Sequence, residues 1–221
     1  MREAFRWILF GNSVAAVAWR NNVPINTGPP YWLLAVVLYL HAWQVRPRRP
    51  GEPTVWDGVT PQRIGAAALA GLTLSSPALL FFRLPGVRER LAYPPIRRLS
   101  RAALAWRVLF EIPVLTALGE ELLFRDYLPY HQRSRQPVQR VVANAAQFTA
   151  WHFVVSLRTV MDANFGRRRL GLAFSYGGSL LTVAVGSAVF HVVRERTGSV
   201  VCAAVTHWVA DAALTVSAWL S

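Results

Sequence analysis

Seven apolar runs constrain the fold of this chain more than any other feature. They cover about 5–19, 30–45, 63–83, 104–124, 140–157, 171–193 and 199–219. A helix that spans a bilayer needs about 20 mostly apolar residues, and most of the runs approach that length. Hydrophobic residues make up 53% of the 221 and charged residues only 16%. We therefore predict an all-α fold, a polytopic transmembrane helical bundle of about 6–8 helices.

The basic residues also indicate a membrane protein. The net charge is +13, and all 24 basic side chains are Arg. They cluster between the apolar runs, at Arg46, Arg48 and Arg49; Arg83, Arg88 and Arg90; Arg97, Arg98 and Arg101; and Arg167 to Arg169. Connections beside anionic lipid headgroups are enriched in this way, whereas nucleic-acid binding would place basic residues along one polar face. The expected partner is therefore the lipid bilayer and not a nucleic acid.

The connections between the runs divide the chain into two parts of one integral membrane unit. Residues 1–100 are expected to hold N-terminal transmembrane helices and basic loops, and residues 101–221 a helical core. Loops are predicted at 46–63, 84–101 and 158–170. Arg residues divide evenly between alternate connections, so the sequence leaves the orientation in the membrane open.

Two apolar runs carry small or polar residues in their interior. Asn12 and Ser13 interrupt the first run, which we interpret as an uncleaved membrane segment because no cleavage site follows. In the sixth run Gly178, Thr182 and Gly186 recur every four residues. Small residues at this spacing allow two membrane helices to approach closely, and we expect such a contact here.

Three short polar patterns lie inside the apolar runs. They are Glu120-Glu121-x-x-x-Arg125, Phe148-x-x-x-His152 and His207-x-x-x-Asp211. Ionisable groups at bilayer depth are energetically costly and are usually retained for a function. On a helix Glu121 can pair with Arg125 one turn away, while Glu120 is rotated by about 100° and stays free. Arg107 and Glu111 have the same spacing and are interpreted as a structural ion pair.

Each pattern also has a purely structural interpretation. The acidic pair could be a charge cluster at a helix end, His152 a buried histidine, and His207 with Asp211 a local hydrogen bond. Taken together, Glu120, His152, His207 and Asp211 predict one cluster. A carboxylate and an imidazole can activate a water molecule, and a second imidazole can stabilise the oxyanion of an attacked carbonyl. His41 and His131 are expected near the membrane interface, and His191 lacks a carboxylate partner within its own run.

The order of the three patterns resembles the CAAX protease and bacteriocin-processing family of intramembrane endopeptidases. The lead-in Arg196-Thr197-Gly198-Ser199 also fits, and the resemblance covers roughly residues 104–215. It implies that residues 101–221 form the catalytic core of a glutamate-dependent endopeptidase in the bilayer. Glu120 would activate water that His152 helps to hold, and His207 and Asp211 would face the scissile carbonyl oxygen. Glu121 with Arg125 would support the site, and Phe148 would pack beside it.

Asp211 departs from the family pattern, which more often has Asn at this position. An ionised Asp cannot donate a hydrogen bond, so it could stabilise an oxyanion only when protonated. Alternatively, its carboxylate orients His207, as a carboxylate orients an imidazole in other hydrolases. We prefer the orienting role.

Other functions remain open at this stage. Glu120, His152, His207 and Asp211 are all acceptable zinc ligands, but no His-Glu-x-x-His helix is present, so no cofactor is predicted. A single cysteine, Cys202, excludes an intramolecular disulfide. A proton-relay transporter could use the same groups, although no inverted repeat is visible, and a family member could serve as an immunity or scaffold protein without proteolysis.

The expected substrate is a peptide or protein that is associated with the membrane or secreted. The family that the chain resembles includes proteases of lipid-modified proteins as well as processors of secreted peptides, and the residues favour neither. The expected location is a bacterial cytoplasmic membrane. The sequence indicates no oligomeric state.

Overall fold

The structure is a computed structural model that describes residues 2–22, 37, 55–81, 83–84, 93–130, 136–163 and 169–220. These ranges contain eight helices and no strand. The helices are α1 Arg2–Arg20, α2 Pro61–Phe81, α3 Pro94–Arg97, α4 from Arg101 to Tyr130, α5 Pro137–Trp151, α6 Phe153–Asp162, α7 Arg169–Thr197 and α8 Val200–Leu220. The all-α helical bundle is confirmed.

Four of the helices are long and apolar enough to cross a membrane. Their apolar segments are Pro61–Leu80, Arg101–Tyr127, Gly171–Thr197 and Val200–Leu220. They match the third, fourth, sixth and seventh predicted runs. The first run forms α1, which is helical but is not one of the four. The second run, apart from Val37, lies outside the described residues, as do His41, His131 and the first half, 46–54, of the predicted loop at 46–63.

The fifth run does not form the single spanning helix that we predicted. Helix α5 ends at Trp151 and α6 begins at Phe153, because His152 takes φ −90° and ψ 4°, far from the ψ of about −42° in an α-helix. The predicted loop at 158–170 is also wrong at its start. Arg158 and Asp162, 3.4 Å apart, pair along the last turn of α6 and extend the helix to Asp162.

Helix α4 is wound unevenly along its length. Its successive stretches are Arg101–Trp106 (α), Arg107–Leu118 (π), Gly119–Glu121 (α), Leu122–Tyr127 (π) and Leu128–Tyr130 (α). Pro113, which has no backbone N–H to donate, lies in the first π stretch. The predicted ion pair between Arg107 and Glu111 is present at 3.6 Å. π turns change which side chains share a face of a helix, and they are frequent at functional sites. The short α-helical segment Gly119–Glu121, which lies between the two π stretches, is therefore a candidate position for functional side chains.

Helix α8 is held by hydrogen bonds to the backbone of its neighbours. Thr206 Oγ1 donates to Ala67 O of α2 at 3.0 Å, and Trp208 Nε1 donates to Val108 O of α4 at 2.7 Å. At Gly71 of α2 an added Cβ would lie 2.5 Å from Thr206 O. The close approach of α2 and α8 therefore requires a glycine at this position. These contacts fix the rotation of α8 about its axis.

The small residues of α7 lie at or near a cavity. An added Cβ at Gly178 would meet no described atom within 4 Å, whereas one at Gly186 would lie 3.5 Å from Phe190 of the same helix and 3.8 Å from Leu74 of α2. Thr182 and Gly186 line a cavity between α7 and α2. Among the described residues, α2 thus approaches the face of α7 at Gly186 to an ordinary van der Waals distance.

Helix α1 packs against the bundle beside α4 and α5. It packs with the end of α4 and with α5 in one apolar cluster, formed by Ala4, Trp7, Leu123, Phe124, Tyr127, Leu128, Phe148 and Trp151. Gly11 of α1 lies directly against the ring of Trp151, which an added Cβ would overlap. The N-terminal helix is thus in contact with the helices that carry the polar patterns.

Candidate active site

The first polar pattern lies in the three-residue α-helical segment of α4, Gly119–Glu121, between the two π stretches. Glu121 and Arg125 are fully buried, whereas Glu120 is only partly buried and lines the cavity. The rotation between adjacent helical residues therefore separates the two carboxylates as predicted. Glu121 is directed into the protein and Glu120 into the cavity.

The carboxylate of Glu120 is held by the two residues at the junction of α5 and α6. Trp151 Nε1 donates to Glu120 Oε1 at 3.2 Å. His152 Nε2 lies 3.7 Å from Glu120 Oε2, which is too far for a direct hydrogen bond. Glu120 Oε2 is buried and accepts a hydrogen bond from none of the described residues. One oxygen of the carboxylate is thus fixed, and the other faces the imidazole across a short gap.

The tautomer of His152 follows from its second contact. Its Nδ1 lies 2.8 Å from the carbonyl oxygen of Phe148. Because a carbonyl only accepts, Nδ1 must carry a proton. In the neutral ring the lone pair is therefore on Nε2, directed toward Glu120 Oε2. Two acceptors facing each other in this way require a donor between them.

The second carboxylate, Glu121, joins two helices through opposite oxygens. His207 Nδ1 of α8 donates to Glu121 Oε1 at 2.9 Å. Arg125 Nε lies 3.1 Å from Glu121 Oε2, and both side chains are 0% exposed. The predicted pair of Glu121 and Arg125 is confirmed as an ion pair, although its angle falls short of a hydrogen bond. Glu121 also orients His207, a role that we had assigned to Asp211 alone.

The guanidinium of Arg125 is surrounded by three further groups. Its Nη2 donates to Ser187 Oγ at 2.9 Å and to Ser187 O at 3.1 Å. Its Cζ lies 4.5 Å from the centre of the Phe148 ring, within the range of a cation–π contact. Phe148 thus supports the buried cation, and α7 is tied to α4 through Ser187.

The last pattern brings His207 and Asp211 together. Asp211 Oδ2 is 3.4 Å from His207 Nε2, and the Asp211 side chain is 40% exposed. The His207 ring stacks on Phe190 with the ring centres 4.6 Å apart. Since each nitrogen faces a carboxylate oxygen, both can donate only when the ring is protonated. His207 is therefore suited to present an N–H at the cavity wall.

All five cavity-facing members of the predicted set line one cavity of about 410 Å³, namely Glu120, Phe148, His152, His207 and Asp211. Glu121 and Arg125 lie behind it. Thr182, on a helix that is long enough to span the membrane, both lines the cavity and is exposed. The size of the cavity is that of a small-molecule or peptide site.

Sequence reasoning missed several residues of this site. Ser187 and Phe190 contact the predicted residues but come from a part of α7 without an ionisable pattern. Trp151 lies within the second pattern, next to His152, and donates to Glu120. Its position was the available signal, because an indole N–H in an apolar segment needs an acceptor. His191 does have a carboxylate in its own helix, since α7 continues past Glu195 and brings Glu195 Oε1 to 3.8 Å from His191 Nε2.

A zinc site would need three or four ligands around one point. Within the described ranges no group of three or more His, Cys, Asp or Glu is placed to hold one metal ion. The potential ligands divide into Glu120 with His152 and Glu121 with His207 and Asp211.

Comparison with known proteins identifies the family of this chain. A family model described as Type II CAAX prenyl endopeptidase Rce1-like matches residues 102–213, a range that contains all three polar patterns. Searches of curated proteins and of solved structures found no match. The four apolar helices are those of an integral membrane protein. The chain belongs to the Type II CAAX prenyl endopeptidase Rce1-like family of intramembrane proteases.

Proposed function

We propose that this protease hydrolyses a peptide bond with a water molecule held between Glu120 and His152. The observation that carries the proposal is the 3.7 Å separation of Glu120 Oε2 and His152 Nε2. An ionised carboxylate and the lone pair of a neutral imidazole both accept hydrogen bonds. A water molecule offers two O–H donors and would satisfy both, with its own lone pairs left free for attack.

In the proposed reaction the water oxygen attacks the carbonyl carbon of the scissile bond. The proton released by the water passes to Glu120, and the carbonyl oxygen becomes an oxyanion. The C–N bond then breaks, and the nitrogen of the leaving amine takes the proton from Glu120. The products are a carboxylic acid and an amine, so that one water molecule is consumed for each bond cleaved.

The oxyanion requires a hydrogen-bond donor on the far side of the carbonyl. His207 is suited to this role because Glu121 fixes its orientation through Nδ1 at 2.9 Å and the residue lines the cavity together with Asp211. The 3.4 Å contact of His207 Nε2 with Asp211 is loose enough for a substrate oxygen to compete with it. A donor of this kind contributes about 10²–10³-fold to the rate in other hydrolases.

Asp211→Asn tests the role of the unusual aspartate. We expect the variant to keep its cleavage rate within about tenfold of wild type, because Glu121 already orients His207 and a single hydrogen bond contributes only about 0.5–1.5 kcal/mol. The measurement is kcat of the purified variant beside wild type. A folded Asn variant without activity would show that the carboxylate of Asp211 takes part in the reaction directly.

The proposed substrate is a peptide that carries a prenyl group, as the family description suggests. The test uses full-length protein in proteoliposomes and two internally quenched peptides of one sequence. One carries a farnesylated Cys followed by three residues, and the other has the same Cys without the lipid. We expect cleavage of the farnesylated peptide at least tenfold faster, since each buried CH₂ contributes about 0.8 kcal/mol to binding.

Two further outcomes of the cleavage assay test the zinc alternative and the proposed substrate class. If a chelator abolishes cleavage and added zinc restores it, the nucleophile is a metal-bound water and not a water held by two protein acceptors. Cleavage of neither peptide by wild type would contradict the proposed substrate class. Product analysis by mass spectrometry locates the bond that is cut.

A further inference from the structure

The N-terminal helix α1 lies outside the residues that match the family model, yet it contacts the residues around His152. Asn12 of α1 donates from Nδ2 to Ala150 O at 2.9 Å. Its Oδ1 accepts from the backbone N–H of Val154 at 3.0 Å. These two backbone groups flank His152, one on α5 and one on α6.

The numbering of the two backbone groups explains this contact. In a continuous α-helix the N–H of Val154 would donate to the carbonyl four residues earlier, which is Ala150 O. The carboxamide of Asn12 instead bonds to both groups and bridges them. Insertion of a side chain into this hydrogen-bond ladder is a recognised cause of sharp helix kinks. Asn12 therefore satisfies the polar groups that the break at His152 would leave without partners.

The break has a direct consequence for Glu120. Adjacent residues of a regular helix point about 100° apart, so Trp151 and His152 would not both reach one carboxylate. With the helix broken at His152, Trp151 Nε1 bonds to Oε1 at 3.2 Å and His152 Nε2 lies 3.7 Å from Oε2. The break thus lets two consecutive residues approach the same catalytic group.

The residue before Asn12 supports the same arrangement. Gly11 lines the cavity, and an added Cβ there would overlap the six-membered part of the Trp151 ring. Any larger residue at this position would displace the indole that donates to Glu120. Gly11 therefore contacts Trp151, and Asn12 bonds to the backbone two residues before and two residues after His152.

We propose that Asn12 is a positioning residue of the protease, which holds the break between α5 and α6 so that Trp151 and His152 converge on Glu120. The inference rests on the proposed function of Glu120 and His152, and it extends the active site to a helix that the family model does not cover. It also explains why a carboxamide interrupts an otherwise apolar run. The hydrogen bonds of Asn12 to two neighbouring helices offset the cost of its burial.

The test compares Asn12→Ala and Asn12→Leu with Asn21→Ala in full-length protein in lipid nanodiscs. Leu keeps the branched shape of the side chain without its hydrogen bonds, so it separates packing from hydrogen bonding if the Ala variant folds poorly. Asn21 directly follows α1, and its Nδ2 donates to Val17 O four residues earlier, which makes it the matched control. The two measurements are hydrogen exchange of the segment that contains Val154 and the kinetics of cleavage of the farnesylated peptide.

We expect exchange at Val154 to rise about tenfold in both Asn12 variants, because the amide loses its acceptor. The value of kcat should fall about 10–100-fold with KM little changed, as is typical when a catalytic group is misplaced by about 1 Å. Asn21→Ala should match wild type in both measurements.

The remaining outcomes decide between a failure of the inference about Asn12 and a failure of the proposed function. Unchanged exchange at Val154 in the Asn12 variants would overturn the inference, as would raised exchange with an unchanged kcat. An inactive wild type with raised exchange in the variants would count against the proposed function, while supporting the bridge that Asn12 forms. The exchange measurement does not depend on activity, so the two failures are distinguishable.

Discussion

Glu120→Gln is expected to lower kcat by about 10²–10⁴-fold, the contribution that a positioned general base usually makes. Glutamine has the shape of glutamate, so its side-chain oxygen can still accept from Trp151 Nε1, as Glu120 Oε1 does at 3.2 Å. The amide nitrogen would then face His152 Nε2 as a donor, where the carboxylate oxygen was an acceptor. The site would lose the base and the second acceptor for water together, while the fold stays intact.

The matched control is Glu195→Gln, the same change at a side chain of α7 that is 51% exposed. We expect its kcat and its thermal stability to equal those of wild type. The measurement is cleavage of the farnesylated peptide by equal amounts of each purified protein, with melting temperatures recorded in the same detergent. Equal cleavage by Glu120→Gln and wild type would show that Glu120 is not the base.

Glu121→Leu is expected to have the largest effect on stability. It removes the only carboxylate that pairs with Arg125 among the ion pairs of the described residues, and the guanidinium keeps its charge under all relevant conditions. Removing one partner of a buried ion pair costs about 3–5 kcal/mol in free energy of unfolding. His207 also loses the acceptor at its Nδ1. We therefore expect poor yield and a strongly lowered midpoint in denaturant titration.

A double variant separates stability from activity. Glu121→Leu with Arg125→Met replaces both charges by apolar groups of similar size, which is often neutral for stability. We expect the double variant to recover much of the lost free energy and to remain inactive, because His207 is no longer oriented. The control is Glu3→Leu, whose exposed pair with Arg6 should contribute at most about 1 kcal/mol. Wild-type stability of Glu121→Leu would contradict the assigned role of this pair.

The pairs that sequence analysis predicted correctly are those within one helix. Glu121 with Arg125, Arg107 with Glu111, and His207 with Asp211 all lie four residues apart. The helical period alone places such residues on one face, so no knowledge of the tertiary fold is needed. The same argument separated Glu120 from Glu121.

The missed contacts of Arg158 with Asp162 and of His191 with Glu195 lie where a helix continues further than predicted. Other missed contacts join different helices. His207 and Glu121 are 86 residues apart, and Val154 and Asn12 are 142 apart. Such contacts depend on how the helices cross and rotate, which is set by packing such as that of Gly71 of α2 against α8. The break at His152 was missed for the same reason, because its partner lies in α1. A polar residue inside an apolar run, as Asn12 is, shows that a partner is needed but not which one.

The exposure of the cavity-lining Thr182 on a helix long enough to span the membrane bears on how the rate at which enzyme and substrate meet should be expressed. A substrate anchored in the same bilayer would reach this side of α7 by diffusion in two dimensions. Its relevant concentration is then molecules per unit area of lipid, or mole fraction in the bilayer, rather than moles per litre of buffer. Added lipid dilutes the substrate even when the aqueous volume is unchanged. Kinetic constants for this protease therefore have a defined meaning only when the amount of lipid is stated with them.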